Sequence, residues 1–286
     1  MTFANKTVWV TGASSGIGEA LAKGFAARGA AVIVSGRKLD LLRRVAGSIG
    51  GAALALPFEA TDFEGLPNVV DAAWRWKGAV DCLVNNAGVS QRSLAVDTDF
   101  SVYRSLMEVD FFAPLRLTQL VLPRMIERRS GQIAIVSSLA GKIGVTLRTG
   151  YCAAKHACVG YFDALRAEVE EAYGVSVSVI LPGSVRTNIS ANALTANGGT
   201  FGRTDVNIQE GMTPEAAADR IIAGLAAKTR EIAVADGMEL AMLRLRTGDP
   251  ESLFALMAQE GARLAALRAE AGADFVPENQ RFNTRP

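Results

Sequence analysis

Tyr151 and Lys155 stand four residues apart, a spacing that puts both on one face of a helix. A free phenol has a pKa of about 10. A fixed ammonium beside it favours the phenolate and lowers that value. A phenol tuned in this way can exchange a proton with a carbinol or carbonyl oxygen near neutral pH. Tyr-x-x-x-Lys is common in isolation. Ser138, thirteen residues before Tyr151 and at the end of a strand-like run, makes this one specific, because its hydroxyl can hydrogen-bond the same oxygen as charge develops there. Ser137 is adjacent, but strand alternation turns it the other way. His156 follows Lys155 and points about 100° away around the helix, a structural or surface position. Cys152 and Cys158 read as helix packing.

Far upstream, Thr11-Gly12-Ala13-Ser14-Ser15-Gly16-Ile17-Gly18 follows a strand-like run and opens a helical pattern. Glycines there let the backbone turn tightly and approach a pyrophosphate, and the helix N-terminus offers amide hydrogens and partial positive charge. The second strand runs into Ser35-Gly36-Arg37-Lys38. An acidic side chain at that strand end binds a ribose 2′-hydroxyl, and an arginine nearby accommodates a 2′-phosphate. With Gly36 and then Arg37, the chain points to NADP rather than NAD; Arg37 and Lys38 as the start of a solvated helix is the plain alternative. Asn85-Asn86-Ala87-Gly88 ends the fourth strand, either a turn or a place where small residues leave room for a cofactor.

The elements that must position these residues follow an α/β rhythm. Strand-like runs cover 7–11, 31–35, 52–58, 82–85, 132–137, 176–181 and 231–234, with helical patterns near 16–28, 38–48, 62–76, 99–129, 151–173 and 213–228. The runs are rich in Val, Ile and Leu and scarcely alternate, as in a parallel sheet covered on both faces. The chain of 286 residues, 49% hydrophobic, is long enough for one large domain spanning 1–286. Thirty basic against 29 acidic side chains argue against a nucleic-acid partner. Three cysteines and one histidine lack the spacing of a metal site, and the cysteine usage fits a reducing, cytoplasmic setting.

Taken together, the chain resembles the short-chain dehydrogenase/reductase family. The resemblance rests on Thr11 to Gly18, Asn85 to Gly88, Ser138, Tyr151 with Lys155, and Pro182-Gly183 followed by Thr187. It implies a Rossmann-type doubly wound, seven-stranded parallel sheet and reversible hydride transfer between a nicotinamide and a carbonyl/alcohol pair. It implies Tyr151 as acid/base, Lys155 tuning it and binding the nicotinamide ribose, and Ser138 positioning the substrate oxygen. Cofactor contacts would come from Gly12, Ser14, Ser15, Gly16, Ile17, Gly18, Asn86, Ala87 and Gly88, and at the nicotinamide end from Pro182, Gly183, Val185 and Thr187. Two departures stand out. Where the family often has a catalytic asparagine, this chain has Asp110, which can accept hydrogen bonds but cannot donate when ionised; it is expected to hold a water beside Lys155 and to oppose that lysine's effect on Tyr151. Where the family commonly has an aspartate near the adenine, Glu59 precedes Ala60.

The substrate pocket is expected near 90–94, 139–147 and the irregular segment 184–212, a lid or binding loop. Ala140, Ile143, Val145, Leu147, Ile189 and Leu194 would make it apolar, suited to a small-molecule carbonyl or alcohol. In the extension 235–286, Leu253, Leu256, Met257, Leu264 and Leu267 recur at helical spacing behind Asp249-Pro250: a core stripe, a dimer face or a substrate wall. Met242-Leu243-Arg244-Leu245-Arg246 makes a membrane-surface face conceivable, with a partner-protomer contact preferred. A homodimer or homotetramer is expected. The competing readings are a cofactor-binding regulator without catalysis and a redox-neutral epimerase or dehydratase.

Overall fold

The structure, a computed structural model, describes residues 3–49, 52–272 and 275–277. Seven parallel strands form one sheet in the order β3-β2-β1-β4-β5-β6-β7: β1 Thr7–Thr11, β2 Ala31–Gly36, β3 Ala53–Pro57, β4 Cys82–Asn85, β5 Gly131–Val136, β6 Val175–Pro182 and β7 Glu231–Val234. The expected doubly wound architecture is present. Alternation within each strand feeds two cores. Val8, Val10, Val32 and Val34 face one layer with Leu21 and Phe25 of α1 (Gly16–Ala27), Leu42 of α2 (Leu39–Ile49) and Ile221 further along. Trp9, Ile33 and Leu83 face the other, with Val70 of α3 (Leu66–Lys77), and Val121 and Phe162 from helices described below. Each fully buried side chain of this size contributes roughly 1.5–3 kcal/mol. Trp9 is fully buried and satisfies its indole N–H on Ser35 Oγ at 2.8 Å.

The strand order reverses between β1 and β4, so the connections leaving their carboxyl ends diverge and open a crevice. Both glycine-bearing motifs, 12–18 and 85–88, lie at this edge. The long helical pattern near 99–129 resolves into α4 (Phe100–Met107), a π turn (Glu108–Phe112) and α5 (Ala113–Glu127). Pro114 has no N–H to return to the carbonyl of Asp110 four residues earlier. The Cys158 thiol donates to that carbonyl instead, at 3.0 Å. The loosened turn carries Asp110 into the interior, fully buried, an arrangement that recurs at functional sites.

α6 (Thr149–Tyr173) carries Tyr151 and Lys155, and its buried face continues through Cys158, Phe162, Leu165 and Val169. The segment 184–212 is irregular apart from the short α7 (Val206–Gln209), tied down by bridges Gln91–Leu194 and Val185–Met212. Then come α8 (Pro214–Ala226), α9 (Gly237–Gly248) and α10 (Pro250–Ala271). Asp249 caps α10, accepting from the Ser252 N–H at 3.2 Å. Of the stripe on α10, Leu253 and Leu264 are buried and Leu267 is 40% exposed. The end of the extension, 278–286, lies outside the described residues. No described helix is long and apolar enough to cross a membrane.

Candidate active site

At the cofactor end, backbone meets backbone too closely for side chains. A Cβ on Gly18 would lie 2.3 Å from the Gly12 carbonyl oxygen, and one on Gly12, whose φ is +64°, would lie 2.8 Å from Ala87 Cα. Asn86 staples the cradle: its Nδ2 donates to the carbonyls of Thr11 (3.0 Å) and Gly12 (3.3 Å). Thr11 Oγ1 accepts from the N–H groups of Asn86 (3.0 Å) and Ala87 (3.1 Å). Asn85 is buried and donates to Thr118 Oγ1 at 3.0 Å. Ser15 precedes α1 without capping it through its side chain, so the first-turn amides of Gly16, Ile17 and Gly18 keep the donor capacity that an anion takes up. Thr187 reaches this cradle from the far side; a Cβ on Gly16 would be 2.9 Å from its Cγ2. The cradle fits a dinucleotide pyrophosphate.

Arg37 is 71% exposed at the end of β2, with Glu59 Oε2 4.0 Å away. Lys38 is exposed and Ala60 half-buried. Arg44, on α2, donates to the Ser14 carbonyl at 3.3 Å and pairs with Glu19 at 3.1 Å. The sequence reading missed it, since nothing in the spacing says which basic residue of α2 turns towards the glycine loop.

At the chemical end, Ser138, Tyr151, Pro182 and Gly183 line a cavity of about 810 Å³. Ser138 Oγ accepts from the Ala140 N–H at 3.1 Å and lies 3.4 Å from the Pro182 carbonyl, and its hydroxyl is near enough to Tyr151 to pull the phenol's pKa down. Ser137 points away and donates to the Lys155 carbonyl at 3.0 Å. Lys155 Nζ sits 5.5 Å from the centre of the Tyr151 ring, 3.3 Å from the Val136 carbonyl and 3.7 Å from Asp110 Oδ2. Asp110 Oδ1 accepts from the Val89 N–H at 2.8 Å, while Oδ2 is buried without a hydrogen-bond partner. Gly88 is required by this packing: a Cβ there would lie 2.9 Å from Asp110 Oδ1 and 3.2 Å from Lys155 Nζ. His156 is exposed, its Nδ1 2.8 Å from the Cys152 carbonyl.

The electrostatics correct one expectation. Burial pushes the Tyr151 phenol above its ordinary value; Lys155 and Ser138 pull it down and Asp110 pushes it up, and the net direction is upward. Lys155 acts in the expected sense but is outweighed. Burial likewise raises the Asp110 carboxyl against the pull of Lys155 and the Val89 N–H. Burial alone would lower Lys155, yet the negative partners Asp110 and Tyr151 carry it upward, so it stays an ammonium.

The cavity wall includes Ala140, Ile143, Val145 and Ile189 as expected. Leu147 and Leu194 are not part of it: Leu147 is buried beneath with φ +64°, and Leu194 is taken up by bridges to Gln91 and Thr200. Four methionines join: Met212 from the end of the expected 184–212 segment, Met257 from the stripe for which a substrate wall was one reading, and Met238 and Met242 of α9, which the sequence did not assign to the site. Ser184, next to the nicotinamide-end motif, donates its N–H (2.9 Å) and its hydroxyl (2.6 Å) to Glu239 Oε1, docking α9 over the cavity. Val185 is buried behind it. Arg92 and Arg148 also reach the wall.

Fold and site together define an oxidoreductase of the Rossmann type. The family model described as short chain dehydrogenase matches residues 6–198, and the chain belongs to the short-chain dehydrogenase/reductase family, whose members bind a nicotinamide cofactor. It is similar to Dehydrogenase/reductase SDR family member 7B of Mus musculus, 38% identical over 267 residues covering 91% of this chain and 82% of the relative. Among solved structures it resembles a short-chain dehydrogenase from Streptomyces avermitilis, with 28% identity, a TM-score of 0.75, and coverage of 91% of this chain and 97% of that one. A second, from Burkholderia phymatum in complex with NAD, superposes with a TM-score of 0.78 at 22% identity over 88% of this chain and 96% of that one.

Proposed function

We propose that the protein is an NADP-preferring carbonyl reductase, or equally the secondary-alcohol dehydrogenase of the reverse direction, with Tyr151 as its acid/base. The observation that carries this reading is the convergence of the Ser138 and Tyr151 hydroxyls on the floor of the cavity, with the Lys155 ammonium behind them. A substrate carbonyl oxygen placed between the two hydroxyls meets two donors. Because its pKa is raised, Tyr151 holds its proton at neutral pH and can give it to the oxygen as negative charge develops. Bound nicotinamide supplies the hydride for the carbonyl carbon. Lys155 keeps a fixed positive charge beside the phenol and favours the phenolate left behind. Asp110 fixes Lys155 electrostatically, and its buried Oδ2 supports the expected water beside that lysine.

NADP preference rests on Arg37 and Arg44 flanking the Ser14 loop, with Gly36 where an acid would repel a 2′-phosphate. The three buried free cysteines support a cytoplasmic setting. The exposed Phe112, packed against Phe111, whose ring in turn meets Tyr161 edge-on, supports a homo-oligomer. The test is oxidation of NADPH, with NADH in parallel, across ketones and aldehydes graded by size, for wild type and Tyr151→Phe. The variant should bind NADPH normally and lose roughly 10²–10⁴-fold in kcat. Retained turnover in Tyr151→Phe would remove the acid/base assignment, and equal use of NADH would remove the cofactor preference.

A further inference from the structure

The segment that leaves β6 joins the two ends of the site. Its Pro182 carbonyl lies 3.4 Å from Ser138 Oγ. Five residues on, Thr187 Cγ2 stands 2.9 Å from where a Cβ on Gly16 would be. One end thus borders the place of the reacting oxygen and the other borders the pyrophosphate cradle. A hydride donor must meet the carbonyl carbon held by Ser138 and Tyr151. The nicotinamide half of a dinucleotide seated on the 12–18 cradle therefore runs along 182–187, and whatever fixes that segment fixes the ring.

The segment is held from two sides. On one, the Ser184 carbonyl accepts from the Met212 N–H at 3.0 Å, and the Arg186 N–H donates to the Met212 carbonyl at 2.9 Å. Further along, Arg92 has a structural part: its side chain is 2% exposed, and it donates through Nε to Asp205 Oδ2 at 2.8 Å and through Nη2 to Ser190 Oγ at 3.1 Å. Arg148 Nη2 meets the same Asp205 oxygen at 2.8 Å. On the other side stands Glu239, in the first turn of α9. Its carboxylate takes both donors of Ser184: the N–H, shared between Oε1 at 2.9 Å and Oε2 at 3.0 Å, and the hydroxyl on Oε1 at 2.6 Å. Gly183 leaves room for it, since a Cβ there would lie 2.0 Å from Glu239 Oε2.

This carboxylate has no cation of its own. Among the described residues no lysine or arginine pairs with Glu239, and Arg220, also on the cavity wall, is bidentate on Asp236 with both bonds at 2.9 Å. The N-terminus of α9 favours negative charge at this place. Glu239 is half-buried and shares the cavity wall with Gly183, Ser184 and Tyr151. An oxidised nicotinamide ring carries a unit positive charge, and a reduced one carries none.

We propose that Glu239 is a positioning residue of the cofactor site: through Ser184 it holds the nicotinamide half in place, and its charge favours the oxidised ring over the reduced one. As hydride leaves in the reductive direction, positive charge grows on the ring, and a fixed carboxylate on the same wall stabilises it without reorganising. The proposal takes the place of the nicotinamide from the reductase reading and rests on it. The test is calorimetry of NADP+ and NADPH, with NAD+ and NADH in parallel, on wild type, Glu239→Gln and Glu239→Asp, without substrate. Glu239→Gln keeps an acceptor for Ser184 and removes the charge. Its ratio of Kd for the oxidised form to Kd for the reduced form should rise about 10-fold, which is what one unit charge exerts on another across about 12 Å at an effective dielectric constant of about 20. Glu239→Asp keeps the charge and loses reach, so both forms should weaken together with the ratio unchanged. Equal weakening of both forms in Glu239→Gln, or no change in either, overturns the proposal and leaves the reductase intact. A ratio that moves in Glu239→Asp as it does in Glu239→Gln also overturns it. The expected shift without reduction of any carbonyl compound upholds the part of Glu239 and overturns the reductase reading. Failure of all four nucleotides to bind wild type overturns both.

Discussion

Replacing Asp110 by Asn tests the electrostatic account of the acid/base. Asn keeps the carbonyl oxygen that accepts the Val89 N–H and removes one buried negative charge. Asp110 Oδ2 stands 3.7 Å from Lys155 Nζ, which stands 5.5 Å from the Tyr151 ring centre, so the carboxylate lies within about 9 Å of the ring. Two unit charges at that separation interact by roughly 2 kcal/mol at an effective dielectric constant of about 20, a little over one pKa unit. Asp110 raises the Tyr151 pKa, so the phenol of Asp110→Asn should titrate about one unit lower. Near-ultraviolet titration of tyrosinate, taken as a difference against the Tyr151→Phe background, reads this without cofactor. The alkaline limb of alcohol oxidation, which needs the phenolate as base, should move to lower pH by the same amount. An unmoved limb would mean that the carboxylate is not felt at Tyr151. An upward shift would mean that Asp110 acts mainly by keeping Lys155 protonated. Either result refutes the reasoning.

Gly18→Ala should cost at least ~10-fold in NADPH affinity by calorimetry, because its Cβ would fall 2.3 Å from the Gly12 carbonyl oxygen and overpacking of this kind costs roughly 1–3 kcal/mol; unchanged affinity would show that the cradle yields easily. Arg37→Ala and Arg44→Ala should each weaken NADPH binding by about 10- to 100-fold, the range of a lost charge-assisted contact, and leave NADH nearly unaffected. Arg92→Leu strands Asp205 with Arg148 and should lower urea-unfolding stability by about 3–5 kcal/mol; a loss below ~1 kcal/mol would contradict its structural part. Cys82 is buried with its thiol pushed up to about 12, and Cys158 to about 11, so neither should react with an aromatic disulfide reagent until denaturant is added.

Much of this protein could be read from the chain because the relevant physics is local. Runs of Val, Ile and Leu separated by helical patterns set the parallel sheet, since strands buried on both faces cannot alternate. The glycine spacing of 12–18, the Tyr151–Lys155 pair and Ser138 announced themselves because backbone sterics and helix geometry fix what lies within a few residues. The break of the 99–129 helix was not read from the chain: Pro114, whose missing N–H frees the Asp110 carbonyl, and Pro123, which sits inside an unbroken α5, look alike in the sequence, and the outcome at Asp110 depends on Cys158, 48 residues away. What tertiary structure alone decided depends on pairs with no sequence proximity. Arg92 meets Asp205 across 113 residues, and Ser184 meets Glu239 across 55. Met242 and Met257, plain apolar residues in the sequence, become pocket wall only once α9 and α10 pack. Even the direction of the Tyr151 shift belongs to this class: sequence shows the ammonium beside the phenol, but burial, a property of the whole fold, outweighs it.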